Sequence, residues 1–307
     1  MTTATIGVYG KVDTQGDFLR AGSGDFSRAG LDRWLEEGMG VLKTENAALP
    51  EGAAGFLFAP AGAAHAFLGA LAPSEDSVGR KFPLLAFVEL PAGPVAMAMP
   101  AAATAYGAVF VAASSELVLS SRGVVAADLL ARARDLAAAA PAAEPRDDEA
   151  VSLTDAPSAD LRAALGGGAP ALAYALRTLC VACDQAAKAA DPAAPGVTVD
   201  APAPSPTVRA MWLELALRRL RRAHAPAPRA LLWSDGSAGR LLIALGTPPP
   251  AMFAFWANPR HRSQRLWPLR TEVAAALATA TSGLTPAQRH IVDDPSTSLA
   301  QLVAEFE

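Results

Sequence analysis

Residues Pro73–Leu84 have the sequence PSEDSVGRKFPL, and this segment is the starting point for predicting the fold. This polar segment separates two short apolar runs, His65–Ala72 and Leu84–Val88, which are bounded by turn-forming residues and are predicted to be strands. Pro83 holds the residue before it in an extended conformation, and Gly79 suits a bend that needs a positive φ. The segment is therefore predicted to be an ordered connection between two neighbouring strands.

The connection carries charges of both signs together with a hydroxyl group, on Ser74, Glu75, Asp76, Arg80 and Lys81. One interpretation is a solvated turn in which these charges neutralise one another. The other is a polar site, because an arginine beside a carboxylate forms charge-assisted hydrogen bonds that give a loop a defined shape. The segment by itself leaves both interpretations open.

Two further segments share a pattern with this one. Gly7–Arg20 reads GVYGKVDTQGDFLR, and Leu232–Trp256 reads LWSDGSAGRLLIALGTPPPAMFAFW. Together with the specific P-S-x-D-x-V-G-R-x-F-P-L pattern, they resemble the TagF family, also called ImpM, which are accessory proteins of bacterial type VI secretion. The resemblance covers residues 7–90 and 231–256, and covers the middle of the chain poorly. Asp13 departs from the family, which usually has proline at that position.

The resemblance implies a function and a partner. In that family the protein is thought to hold type VI secretion in check after translation, acting with an FHA-domain scaffold protein and in parallel with a kinase–phosphatase pair. It therefore implies a non-enzymatic protein that regulates, and represses, assembly by binding a scaffold component. Two alternatives stay open: a structural module of the secretion assembly without a switching role, and a hydrolase that uses the 73–84 loop.

The positions of the apolar runs predict the fold class. Short strand-like runs occur towards both ends of the chain, and helical periodicity dominates the middle. We expect an α+β, or mixed α/β, fold in which a central, largely antiparallel sheet built from both ends is packed by helices. The expected organisation is a TagF-like region at 1–140, a helical, Pro-rich insertion at 141–206, and residues 207–307 completing the same domain. Trp34 and Trp212 lie in line with apolar neighbours and are predicted core residues.

Leu90–Ser115 contains no charged residue and is longer than the ~20 residues that a membrane-spanning helix needs. Prolines interrupt its first half, however, and the remainder is mostly alanine with serine and threonine. A spanning helix is normally richer in Leu, Ile, Val and Phe. We predict a buried strand followed by a buried helix, and no membrane span.

The net charge of −4 at pH 7 argues against a general nucleic-acid binder and against a protein held on a membrane by charge. Met1–Ala4 lacks the basic start of a signal peptide, and the apolar run that follows is too short for one. We therefore expect a cytoplasmic protein that neither binds nucleic acid nor spans a membrane.

Catalytic and cofactor motifs are absent from the sequence. It has no G-x-S-x-G, no P-loop, no G-x-G-x-x-G after a strand and no H-E-x-x-H. His65, Ser74 and Asp76 are close in sequence, but a hydrolase triad also needs a buried orienting carboxylate and an oxyanion hole, and nothing supplies either. We predict no enzyme activity, no cofactor and no metal site.

Two other motifs have structural interpretations. Cys180 and Cys183 form a C-x-x-C within the helical run Ala169–Ala190, without the further ligands that zinc needs, and are predicted to be buried. The basic run Arg218–Arg222 ends a helix, where cations complement the helix dipole. A solvated helix end is expected there, and contact with a phosphoprotein is the alternative.

The candidate site consists of polar residues from the two N-terminal loops, which we expect at one edge of the sheet. Arg80 is predicted to contact Asp76 or Asp17 and to lock one loop against the other. The site is either a partner-binding surface or a structural clamp. A second group lies at the turn after the later tryptophan, so the full set of candidates is Asp17, Arg20, Ser74, Asp76, Arg80, Trp233 and Asp235.

Overall fold

The computed structural model describes residues 5–22, 26–27, 30–97, 99–140, 151–189 and 196–307. In this part of the chain nine strands form one sheet in the order β2-β1-β5-β4-β3-β7-β8-β6-β9. All neighbouring strands are antiparallel except β6 and β9. The strands are β1 Ile6–Gly10, β2 Leu19–Ala21, β3 Ala54–Phe58, β4 His65–Ala72, β5 Leu84–Pro91, β6 Val197–Pro202, β7 Ala230–Ser234, β8 Arg240–Leu245 and β9 Leu266–Pro268.

The two ends of the chain meet in the middle of this sheet. β3, from the N-terminal part, pairs with β7, from the C-terminal part, so that Gly55 lies opposite Trp233. A central, largely antiparallel sheet built from both ends was predicted, and the prediction is confirmed. The boundary predicted at residue 141 falls on 141–150, which lie outside the described residues.

Helices cover both faces of the sheet. α1 and α9 pack on one face, and α4, α7 and α8 pack on the other, with α12 outside them. The helices are α1 Leu31–Thr44, α2 Ala92–Met97, α3 Met99–Ala102, α4 Ala105–Leu119, α5 Ala126–Asp135, α6 Ala159–Leu165, α7 Gly168–Ala187, α8 Pro206–Arg222, α9 Met252–Ala257, α10 Ala274–Ser282, α11 Pro286–Asp293 and α12 Leu299–Phe306, with a 3-10 turn at Leu136–Ala139.

The two faces of the sheet have different cores, because successive side chains of a strand point to opposite sides. On β3, Phe56 and Phe58 face α1 and α9, whereas Leu57 faces the larger helical layer. The α1 side is rich in aromatic rings, and the ring of Trp34 lies 5.0 Å from that of Phe58. The other side is mainly alanine, leucine and valine and includes the fully buried Trp212. Both tryptophans are core residues, as predicted.

The prediction for the uncharged segment Leu90–Ser115, a strand followed by a helix, is confirmed for the helix and wrong for the strand, because only Leu90 and Pro91 lie in β5. β5 ends at Pro91, three helices follow, and α4 packs against β4 and β5. Among the described residues, the helical segment Met99–Leu119 is long and apolar enough to cross a membrane. Helices α6 and α7, which meet at a bend of 91°, are also long and apolar enough if they are counted as one span. Core helices meet the same test, and 56% of the first segment is buried.

One strand, β6, lies within the segment 141–206 that was predicted to be a helical, Pro-rich insertion. This strand is internal, because β8 flanks it on one side and the three-residue strand β9 flanks it in parallel on the other. Val199 and Ala201 are fully buried. The prolines on either side of β6 made a strand hard to predict there. A strand of three residues, such as β9, has no clear pattern in the sequence.

Candidate functional site: two loops joined by a buried carboxylate

The two polar loops of the N-terminal region lie side by side. They are residues 11–18, which follow β1, and residues 73–83, which join β4 to β5; we call them the paired loops. Their closeness follows from the sheet, since β1 and β5 are antiparallel neighbours. Gly10, with φ +137°, permits the contact, because a Cβ there would lie 2.1 Å from the main-chain oxygen of Pro83. The Ser77 N–H donates to the Gln15 carbonyl (3.0 Å).

Asp76 is the centre of the paired loops, and its carboxylate is completely buried. Oδ1 accepts hydrogen bonds from the main-chain N–H groups of Val78 (3.1 Å) and Arg80 (2.8 Å). Oδ2 accepts from Arg80 Nε (2.7 Å) and from Lys11 Nζ. The predicted contact between Arg80 and a carboxylate is therefore confirmed, with Asp76 as the partner.

These donors keep Asp76 ionised. Burial alone would raise the pKa of the carboxyl group, but the hydrogen bonds from Lys11, Arg80 and Val78 outweigh it and hold the pKa well below its usual range. Arg80 also donates from Nη2 to the carbonyl of Gly16, although 61% of its side chain is exposed. Asp76 and Arg80 therefore link the two loops.

Lys11 is the main residue of the site that the sequence interpretation missed. Its side chain is buried, its ammonium group binds Asp76, and Nζ lies 5.1 Å from the centre of the Phe18 ring. A lysine in a polar loop is usually exposed, so no local pattern predicts this burial. The available signal was its position in the GVYGK motif. Ser74 strengthens the same contact, because its hydroxyl donates to the Lys11 carbonyl (2.8 Å).

A third segment, the turn between α4 and α5, is attached to the first loop. Both carboxylate oxygens of Asp13 accept from the Gly123 N–H at 3.0 Å, and the Thr14 hydroxyl donates to the carbonyl of Val124 (2.9 Å). Asp13 stands where the resembled family usually has proline, so here the position serves as a hydrogen-bond acceptor. The first loop is consequently fastened on two sides.

Asp17 and Arg20 do not join the cluster around Asp76. Asp17 is exposed, and Arg80 contacts Asp76 in its place. The guanidinium of Arg20 lies 5.1 Å from the ring centre of Tyr9, whose hydroxyl donates to Glu36 (3.3 Å). Burial, followed by the charge of Glu36, raises the pKa of Tyr9 to about 12.

Trp233 and Asp235 form a separate group in the middle of the sheet. Only 2% of Trp233 is exposed, so it is a core residue and is not available at the surface. The buried Arg209, which the sequence interpretation missed, lies 5.3 Å from the Trp233 ring centre. It donates to Asp235 (2.7 Å) and to the carbonyl of Ala103 (2.8 Å), and so attaches the turn after β7 to α8.

Neither a metal site nor a triad forms within the described residues. No group of three His, Cys, Asp or Glu side chains there could hold a metal ion. His65 lies at the start of β4 and its Nδ1 is 2.8 Å from Glu89, whereas Ser74 follows the far end of that eight-residue strand. At ~3.3 Å per residue, the strand alone separates them by more than 20 Å. The imagined hydrolase triad is therefore not assembled.

The cysteines and the basic run have structural surroundings. Cys180 and Cys183 are buried, as predicted, and both are free thiols; burial raises the pKa of Cys180 to about 11. The basic run is more than a solvated helix end. Arg219 binds both carboxylate oxygens of Asp184 at 2.7 Å, and Arg218 binds Glu214 (2.7 Å) and Glu307 (2.9 Å).

Comparison with known proteins agrees with the N-terminal resemblance. Residues 7–133 match the family model described as the TagF N-terminal domain, type VI secretion system-associated. The crystal structure of PA0076 from Pseudomonas aeruginosa PAO1 is similar, with 21% identity, a TM-score of 0.47, and coverage of 84% of this chain and 96% of that one. No curated protein matches the chain significantly.

Proposed function

We propose, because residues 7–133 match the family model described as the TagF N-terminal domain, type VI secretion system-associated, that the chain represses assembly of such a system after translation. It does so in the cytoplasm, without catalysis, by binding an FHA-domain scaffold protein. The observation that carries the proposal is this match, which includes both paired loops. The identity of the scaffold comes from the family resemblance.

The paired loops suit recognition of a protein partner. They are fastened by Lys11, Asp76 and Arg80, so binding would cost little additional ordering of the main chain. Their outer surface combines polar groups with one apolar anchor, Val78, of which 69% is exposed. Exposed Asp17 lies on the other loop. An apolar side chain surrounded by polar groups is desolvated when a partner covers it, so Val78 and the charge of Asp17 are the candidate hot-spot residues of this surface.

Repression by this surface requires only occupancy. A scaffold bound to the paired loops is unavailable to the components that assemble on it, so secretion is held in check until the complex dissociates. The carboxylate at the centre of the loops already accepts four hydrogen bonds, which suits a structural role better than a nucleophile or a general base.

A binding experiment with the purified scaffold tests the proposal. Asp17→Lys and Val78→Asp change exposed side chains and should leave the fold intact. Because a hot-spot residue contributes ~2 kcal/mol or more, each should raise the Kd at least about 30-fold in isothermal titration calorimetry. The matched control is Asp160→Lys, an exposed charge reversal on α6, which packs on β6 near the opposite end of the sheet, and it should leave the Kd unchanged.

Secretion assays test repression separately from binding. Deleting the gene should increase release of type VI effectors. Asp17→Lys should fail to restore restraint, whereas Asp160→Lys should restore it. A decrease in release on deletion would contradict repression and favour a structural module of the assembly. Turnover of a phosphoprotein or an ester by the purified chain would contradict the absence of catalysis.

A further inference from the structure

A second charged surface lies far from the paired loops. Asn258–Arg270, which we call the arginine segment, reads NPRHRSQRLWPLR and contains no acidic residue, although the chain as a whole has a net charge of −4. Its arginine side chains are exposed on the connection from α9 to β9 and just beyond β9. They are Arg260, Arg262, Arg265 and Arg270.

The main chain of the arginine segment is held in a defined shape. The Arg260 N–H donates to the side chain of Asn258 (3.0 Å), and the Arg265 N–H donates to the hydroxyl of Ser263 (3.1 Å). The carbonyl of Arg265 accepts from the N–H of Thr198 (2.7 Å), which joins the segment to β6. The cationic side chains therefore project from an ordered backbone.

Two carboxylates near the segment are bound to other groups, whereas the exposed Glu272, two residues beyond Arg270, has no bond to the segment in the described part of the chain. Glu45 contacts His261 (3.2 Å), and both oxygens of Asp200 accept from Arg240 (2.7 and 2.8 Å). Among the described residues, no carboxylate forms an ion pair with Arg260, Arg262 or Arg270. The positive charges of Arg260, Arg262 and Arg270 are thus not compensated by an ion pair among the described residues.

We propose that the arginine segment binds an acidic, carboxylate-rich segment of a protein partner. The planar guanidinium group binds carboxylates through two parallel hydrogen bonds, which favours arginine for this type of recognition. Several such groups on an ordered backbone can contact successive acidic residues of an extended peptide. Attraction between opposite charges would also accelerate encounter with such a partner.

Surfaces that bind other anionic ligands commonly carry a second feature. Sites for single-stranded nucleic acid combine basic groups with exposed aromatic rings for stacking, and many membrane-binding surfaces insert apolar side chains. In this segment Leu266 and Leu269 are buried and Trp267 is partly buried. The exposed groups are therefore almost entirely polar or cationic, which favours the acidic peptide.

The arginine segment is separate from the paired loops. β9 is one end of the sheet, and β1, which leads into the first loop, is seven strand spacings away. At about 4.8 Å per spacing the two surfaces lie roughly 30 Å apart. The proposal therefore does not depend on the function proposed for the loops, and both surfaces could be occupied at once.

Fluorescence anisotropy with a labelled polyglutamate peptide tests the proposal at low ionic strength. The wild-type protein should bind the peptide, and added salt should weaken binding. Arg260→Glu with Arg262→Glu should raise the Kd about tenfold, the change expected from losing two exposed ion pairs. The control is the double reversal Arg132→Glu with Arg134→Glu, two exposed arginines of α5, which should leave the Kd unchanged.

The same proteins should be titrated with duplex DNA and with vesicles containing phosphatidylserine. Tighter binding to either of these than to the peptide would overturn the assignment to an acidic protein segment. Equal Kd values for the two double reversals, or no binding by the wild-type protein, would overturn the proposed surface. Circular dichroism of each variant checks that the fold is retained.

Discussion

Lys11→Met should destabilise the protein through the loss of one buried interaction. The ammonium group of Lys11 is buried and binds Asp76, while the aliphatic part of its side chain packs beside Phe18. Methionine keeps most of this packing and removes the charge and its hydrogen bond. Asp76 still accepts from Arg80 and Val78, so the loss is that of one charge-assisted hydrogen bond, about 1.5–3 kcal/mol.

Urea denaturation measures this change as a lower midpoint with an unchanged slope. Two control variants define the scale. Lys43→Met replaces an exposed lysine of α1 and should change the free energy of unfolding by less than about 0.5 kcal/mol. Arg80→Ala removes a side chain that is 61% exposed and should cost up to about 1 kcal/mol. If Lys11→Met costs no more than Lys43→Met, the inferred role of the buried ion pair is wrong.

Three further results are expected. The pKa of Asp76 is lowered in the folded state, so its contribution to stability is present above the unfolded pKa of about 4 and is lost as the pH falls below that value. Asp76→Asn should abolish this part of the acid sensitivity when the free energy of unfolding is measured by urea titration at several pH values. Gly38→Ala would place a Cβ 2.1 Å from the Phe253 ring and should lower the free energy of unfolding by about 1–3 kcal/mol. Gly40→Ala, which places its Cβ in open space on the same helix, should raise it by about 0.5–1 kcal/mol. Equal shifts of the thermal unfolding midpoint for the two variants would contradict this packing. Burial, which raises the pKa of Cys180 to about 11, should make it unreactive towards a thiol reagent at neutral pH until urea unfolds the protein, and rapid native labelling would show that the thiol is accessible.

Local features of the sequence were sufficient to predict much of the N-terminal architecture. The apolar runs on either side of the polar segment became β4 and β5, and the polar segment became the loop between them. Arg80 and Asp76 are four residues apart, so a contact between them could be inferred from spacing and charge. The burial of Trp34 and Trp212 also followed from local patterns, because helical periodicity identifies the face that packs on a sheet.

Contacts between distant residues escaped the same reasoning. Lys11 and Asp76 are 65 positions apart, and Arg209 and Asp235 are 26 apart. The sequence around each residue does not identify its partner. Whether such a charged side chain is buried or solvated depends on which loops the sheet brings together. A local sequence pattern does not predict which loops these are.

The sequence by itself determined the type and approximate position of many elements, because periodicity and turn chemistry act over a few residues. Strand order, the internal place of β6 and the burial of Lys11 were decided only by the tertiary structure. These depend on pairing between strands that are far apart in the chain. The free energy of a buried charge likewise depends on its partners, and for Asp76 those partners come together only when the sheet has formed.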